Sequence, residues 1–280
     1  MRLMFLAGVA LIAISGFSFA DGVAYRLPPD GTWVKYRITA TKYEAWNLRP
    51  DEKEGWVFKK EPELTAEELA TASRDNFLLV RSVGRQDVGG EPCRWVELVL
   101  NSQEEGEAKP EARGLLLKVL IPEKAFDLGI DPFEHVKKMY LSDRREDGEH
   151  FLSEVEDGDR KRYEVERFRL YFPVPPKGAQ RKKDVELKTP LGPFKGYELG
   201  FEYGYEGKLV GGKAGWNYVK GHYQVTVSDR APFGIVAVRG KDVVAIEEYG
   251  DGIGARLKQS WTMDAAETGT GAKSGLPDKN

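Results

Sequence analysis

Three histidines, at positions 135, 150 and 222, are the residues best suited to proton transfer or metal binding, and each stands alone in sequence. Zinc sites and base-assisted nucleophiles both require clusters of ligands or partners. His222 comes nearest to a constellation, because Ser228 and Asp229 follow it within one strand length. In an extended strand such positions lie about 20 Å apart, at roughly 3.3 Å per residue, and cannot touch without a bend. Gly250-Asp251-Gly252-Ile253-Gly254-Ala255 has the Gly-x-Gly-x-x-Ala spacing of a dinucleotide loop. Such a loop opens a βαβ unit, and no helical pattern follows here, so the segment reads as a hairpin turn. Asp147-Gly148 and Asp157-Gly158-Asp159 lack the alternating oxygen ligands of a calcium loop and read as turns. Carboxylates are numerous, but no acid–base pair stands out among them. Cys93 is the only cysteine. It lies in a strand pattern beside Trp95, without the electropositive surroundings of a reactive thiol. These residues point away from an enzyme and imply no cofactor and no metal.

The aromatic residues are more informative. Trp33, Tyr36, Trp95, Phe194, Tyr197, Tyr223 and Phe233 all fall in strand-like stretches or at their ends. They are either ordinary core and surface or the lining of an apolar hollow on the concave side of a bent sheet, where an apolar ligand would sit.

Two segments set the elements that must position them, residues 185–200 and 222–238. Both alternate side chains with period two and are rich in β-branched and aromatic residues, as in a sheet with one buried face. Each is interrupted by Pro-Phe beside glycine: Gly192-Pro193-Phe194 and Pro232-Phe233-Gly234. Proline gives no N–H to a ladder and glycine accepts unusual torsions, so a strand ends, bends or bulges there. The two segments read as neighbours in a strongly curved antiparallel sheet.

Other strands read more simply. Residues 31–40 place Val34, Tyr36, Ile38 and Ala40 on one face, after a Pro28-Pro29-Asp30-Gly31 turn. Residues 77–83 and 93–100 form a hairpin around Gly84, Gly89 and Gly90. Residues 115–121 are apolar nearly throughout, as in a strand covered on both faces. Further strands are expected at 55–60, 163–172, 243–248 and 256–263. The clearest helix is expected from Asp131-Pro132, with Phe133, Val136 and Tyr140 as its apolar stripe. A short helix could follow the capping box at 65–68. Residues 142–161 read as a solvated charged run, and 173–178 as a Pro-rich turn or linker. The expected architecture is mainly β (α+β): a curved antiparallel sheet or half-barrel of roughly ten strands with one packed helix.

Residues 1–20 have the basic start, apolar run and Ser18-Phe19-Ala20 end of a cleavable export signal. The apolar run, broken by Gly8, Ser15 and Gly16, is shorter than the roughly 20 residues of a comfortable membrane span. The expected organisation is therefore a signal at 1–20, one β-rich domain at 21–263, and a disordered tail at 264–280, whose small polar residues offer little to bury. After cleavage no membrane-spanning segment is expected, and the location is periplasmic or extracellular. Loss of Arg2 leaves 41 basic against 45 acidic residues, a balance that argues against nucleic acid as a partner. With a single cysteine no intramolecular disulfide forms, so the fold rests on its core.

The export signal, the consecutive strands, and the Gly-Pro-Phe-Lys-Gly strand followed by one ending Ala-Pro-Phe-Gly-Ile-Val together resemble the LolA/LolB-like lipoprotein-carrier superfamily. That resemblance implies an incomplete barrel around a helical plug, with a cavity accepting acyl chains. This chain departs from the carriers in having one clear helix and long charged insertions. Two functions follow: binding of a lipid or other apolar or amphipathic ligand, or an envelope structural or protein-interaction module with a filled core.

Overall fold

The computed structural model describes residues 26–51, 55–62, 76–102, 115–127, 132–144, 150–154, 179–208, 215–248 and 253–275. The expected export signal, the helix after residue 65, the strand at 163–172 and the Pro-rich stretch at 173–178 lie outside these residues.

The strands are β1 (Trp33–Asp51), β2 (Gly55–Lys60), β3 (Asn76–Val88), β4 (Glu91–Ser102), β5 (Leu115–Pro122), β6 (Lys138–Arg144) and β7 (His150–Glu154) in the first half of the chain. The second half supplies β8 (Gln180–Thr189), β9 (Gly192–Lys208), β10 (Gly215–Val227), β11 (Ile235–Glu248) and β12 (Ile253–Gly269). All belong to one antiparallel sheet, in the order β7-β6-β5-β4-β3-β1-β12-β11-β10-β9-β8, with β2 pairing the far end of β1. The described residues hold twelve strands, against the roughly ten expected.

Each chain half forms one wing of the sheet, and the first and last strands join the wings. β1 pairs β12 from Trp33↔Gly269 to Asn47↔Ala255. On its other side it pairs β3 only through Ile38↔Asn76, and β2 takes over from Trp46↔Lys60. Among the described strands the sheet is open, with β7 and β8 at the two ends of the order. It is also sharply bent. β8 comes back within contact of β12 although it lies four places along the strand order. A flat sheet would hold them about 19 Å apart at the usual strand spacing of about 4.8 Å.

Alternation decides which face is buried. Val34, Tyr36 and Ile38 of β1 share the inner face with Leu78 and Val80 of β3, Leu98 of β4, Leu117 and Val119 of β5, and Met139 of β6. The other wing adds Tyr223 and Val225 of β10, Val238 of β11, and Trp261 and Met263 of β12. Burying each large apolar side chain contributes about 1.5–3 kcal/mol. A smaller cluster lies on the outer face, where Phe77, Leu79, Val99 and Leu116 pack with Trp33 and Tyr140. β5 is therefore covered on both sides, as its nearly continuous apolar run implies.

The helical elements differ from expectation. A one-turn helix, α1 (Glu123–Asp127), buries Ala125 and Phe126 in the main core. The stretch expected as a helix forms one 3-10 turn, Pro132–His135, and then enters β6. Phe133 and Val136 are buried as their spacing implies. Beyond them Met139 and Leu141 alternate with period two and pair opposite Val119 and Leu117, so sheet pairing overrides the helical stripe. The charged run likewise contributes paired strands, Tyr140↔Glu154 to Arg144↔His150.

The two segments around Pro-Phe are hairpins rather than single strands. β8 and β9 meet at Thr189↔Gly192, and the β10–β11 turn closes where Ser228 N–H donates to the Gly234 carbonyl at 2.9 Å. Gly192 (φ 117°) and Gly234 (φ 79°) take positive φ, and Phe233 joins them at 56°.

The expectation of a disordered tail from 264 is corrected as far as residue 275. β12 continues to Gly269, with Ala265 buried opposite Tyr36. Residues 271–275 then cross the outer face, where Ala272 N–H donates to the Gly31 carbonyl at 2.8 Å. Composition misses this because small residues suffice wherever two backbones lie close together.

Candidate functional site

At one level of β9–β12 the paired positions run Phe201↔Tyr223, Tyr223↔Gly240 and Gly240↔Trp261, and then Trp261↔Ala40 onto β1. The rings lie close to the sheet because glycines leave them room. A Cβ on Gly240 would come within 2.4 Å of the Trp261 indole, and one on Gly221 within 2.4 Å of the Tyr223 hydroxyl. A strand glycine commonly marks a tight bend or the close approach of another group, and both are present. Phe201 stacks on Tyr223 at 5.6 Å between ring centroids, and Tyr223 meets Trp261 at 6.2 Å.

Beside this aromatic row is a hollow of about 490 Å³, whose walls include Phe201, Tyr223 and Trp261 together with Lys182, Arg239 and Lys241. Lys182 is the extra residue of a β8 bulge, between Arg181↔Leu199 and Lys183↔Glu198. Its stem lies over Gly200, where a Cβ would approach its Cε to 2.1 Å. Arg239 bonds the Asp264 carboxylate at 2.8 Å, and His222 Nδ1 stands 3.1 Å from Glu202. On the β1 side, the extra residue Thr41 donates its hydroxyl to the Ser260 carbonyl at 3.0 Å. Tyr223 and Trp261 are themselves almost fully buried, so the side chains that the hollow meets are mainly those of Phe201 and the polar and charged residues around it.

The seven aromatic residues singled out in sequence do not converge. Tyr36, Tyr223 and Phe233 are in the main core, Tyr223 only 2% exposed. The Tyr36 hydroxyl donates to the Ile235 carbonyl at 3.1 Å, and burial pushes its phenol well above the ordinary range. Tyr197 packs against that core from the edge and carries the Arg181 guanidinium 4.6 Å above its ring. Phe194 is half-buried opposite Leu187. Trp33 and Trp95 are on the outer face: Trp33 joins the smaller apolar cluster, and Trp95 tilts against Tyr140 at 5.7 Å. Of the seven, only Tyr223 lines the hollow.

Phe201, Trp261, Gly240 and Lys182 were missed. Trp261 shares its alternation with Met263, which marks it as inward-facing. The glycine opposite it is visible only once β11 and β12 are paired.

His222 lies within β10, and Ser228 follows just beyond its end. Ser228 is buried and donates to the Lys195 carbonyl at 2.7 Å, while His222 faces Glu202. Burial, aided by the Glu91 charge, pushes the Cys93 thiol up from its usual range, as suits a small core residue. Among the described residues no three His, Cys, Asp or Glu side chains group as metal ligands, and no helix is long and apolar enough to cross a membrane.

The class defined by this geometry is an open, sharply bent antiparallel sheet with a short helix. No protein-family model matches the chain, and no curated protein matches its sequence. Among solved structures it is similar to a protein from Bacteroides fragilis NCTC 9343, proposed to be exported and described as having a YmcC-like fold. That match has 8% identity and a TM-score of 0.31 over 87% of this chain and 98% of the other. It is also similar to a protein from Parabacteroides distasonis ATCC 8503 proposed to be a lipoprotein, at 9% identity and a TM-score of 0.33, over 87% of this chain and 97% of that one.

Proposed function

We propose that this is an exported envelope protein that binds one amphipathic ligand, an acyl chain with an anionic head, in the hollow at the bend of the sheet. The observation that carries the reading is a hollow lined by Lys182 and Lys241 together with strand positions of the Phe201–Tyr223–Trp261 row. Its volume falls in the range of about 300–1,000 Å³ usual for small-molecule sites. Burying an acyl chain there gains about 0.8 kcal/mol per CH₂, and a lysine ammonium offers the head a counter-charge. Export and the half-barrel carriers supply the parallel for such a role; transfer of lipoproteins is not part of the proposal.

A second reading is favoured by a different observation. The main core is filled, with Tyr36, Tyr223 and Phe233 packed inside it. On that reading the chain is an envelope structural or interaction module without a small ligand.

Titration with saturated fatty acids of increasing length, followed by tryptophan emission, separates the two. Binding should saturate near one per chain, with affinity rising up to about fourfold per added CH₂. Lys182→Glu should weaken fatty acids several-fold and leave the matching alcohols unchanged. Affinity independent of chain length, or no saturable site in the folded protein, favours the filled-core module.

A further inference from the structure

The outer face of the sheet contains a buried acid with no place in the proposed ligand site. Glu97 of β4 is 0% exposed and sits between two cations, with Arg81 Nη2 at 3.1 Å and Lys118 Nζ at 3.8 Å. One element completes its shell. The Ser274 hydroxyl donates to one Glu97 oxygen, and the Gly275 N–H donates to the other at 3.0 Å. Lys118 Nζ then donates to the Ser274 oxygen at 2.8 Å. Upstream, Gly271 turns the chain at φ 80° and Ala272 N–H reaches the Gly31 carbonyl. The segment forms one wall of a groove, with about 570 Å³ still open beside it that Trp33, Phe77 and Leu79 also line.

We infer that this groove is a peptide-binding site, occupied by the chain's own residues 271–275, which recognises a Ser–Gly pair through Glu97. Each position is read by a different contact. A buried carboxylate between two cations still needs donors for its remaining lone pairs, and a hydroxyl followed by a backbone N–H supplies them. Glycine is favoured next because a Cβ at 275 would stand 2.7 Å from Arg81 Nη2, which Glu97 holds in place, and 3.4 Å from Leu116 Cδ1. The ligand class is therefore a small-residue peptide with a hydroxyl side chain followed by glycine. A segment of that kind from another protein would fit only when the chain's own segment leaves.

The test uses full-length protein and a labelled synthetic peptide with the sequence of residues 270–280. Ser274→Asp places a carboxylate against Glu97 and should unseat the segment without touching the groove. In the unmodified chain, the amides of Ala272 and Gly275 should exchange with solvent at least tenfold more slowly than in the free peptide. In Ser274→Asp they should exchange at the free-peptide rate. The labelled peptide should then bind the Ser274→Asp chain saturably and the unmodified chain at least tenfold more weakly. Gly275→Val, also confined to the segment, should behave the same way if Ser274→Asp misfolds. Free-peptide exchange rates in the unmodified chain would overturn the inference. So would equal binding of the peptide to both proteins, or no binding to a folded chain whose segment has been unseated.

Discussion

Arg94 shows what a single residue contributes at the seam between strand and helix. It is 1% exposed on the inner face of β4, where alternation with Val96 and Leu98 would place an apolar side chain. All three nitrogens of its guanidinium donate. Nε and Nη2 donate to Glu123 of α1 at 3.1 and 2.7 Å, and Nη1 donates to Ser82 Oγ at 2.7 Å and the Pro28 carbonyl at 3.1 Å. Asp30 continues the network by accepting from the Gly84 N–H at 2.7 Å and from Ser82 Oγ at 3.2 Å. Removing one partner strands the other, because a buried charge without a counter-charge has lost its hydration as well. Glu123→Ala should therefore cost about 3 kcal/mol, below the upper end for buried pairs because the Glu123 carboxylate still reaches solvent. Arg85 also touches Glu123, at 3.1 Å, but is 66% exposed. Arg85→Ala should stay within about 0.5 kcal/mol. Urea denaturation of the two variants makes the comparison, and equal losses would refute the network. Arg94's inward direction was legible in the strand pattern. Its partner, 29 positions away on a helix of one turn, was not.

At the scale of elements, the hairpins were the most legible features and the helices the least. Alternation and turn glycines marked β3, β4, β9, β10 and β11, because a strand with one buried face writes its period directly into the sequence. The stretch at 131–140 carried two periods at once. Its first turn follows the helical one and its end the strand one, and the choice was made by β5, which supplies a ladder for β6. The Pro-Phe-Gly turns can be tested without that ambiguity. Gly192 has nothing within 4 Å of where a Cβ would stand, so crowding is not its constraint. Its φ of 117°, like the 79° of Gly234, is. Left-handed backbone costs a side-chain-bearing residue about 1–2 kcal/mol, with β-branched residues at the upper end. Gly192→Val and Gly234→Val should each lower stability by about that amount. Gly→Ala at the same sites should recover part of it, and thermal unfolding of the four variants provides the measurement. Normal stability in both valine variants would mean that the turns tolerate another geometry.

For the whole molecule, the decisive feature is the β1–β12 seam. The wing from β3 to β7 and the wing from β8 to β11 are joined in strand order only through it. Contacts across it are far apart in sequence: Lys35 and Glu267, 3.3 Å apart in space, are 232 positions apart along the chain. The loop-closure entropy of such pairs is lost before any of their contacts form, so a sheet closed by its first and last strands should fold slowly. The same seam makes residues 264–269 far more important than their composition suggests. Ala265 lies inside, the Thr268 hydroxyl donates to the Trp33 carbonyl at 2.7 Å, and Arg239 is tied to Asp264. Deleting residues 264–280 removes these contacts, part of the ladder on both sides of β12, and the segment that caps Glu97. For a domain of this size each kcal/mol lost lowers the unfolding midpoint by about 2–4 °C. The deletion should therefore lower it by at least about 5 °C and weaken the cooperativity between the wings, giving a broadened or two-step transition in calorimetry. A midpoint and width matching the full chain would mean that the wings hold together without the end of β12, and that the seam is not where the sheet is closed.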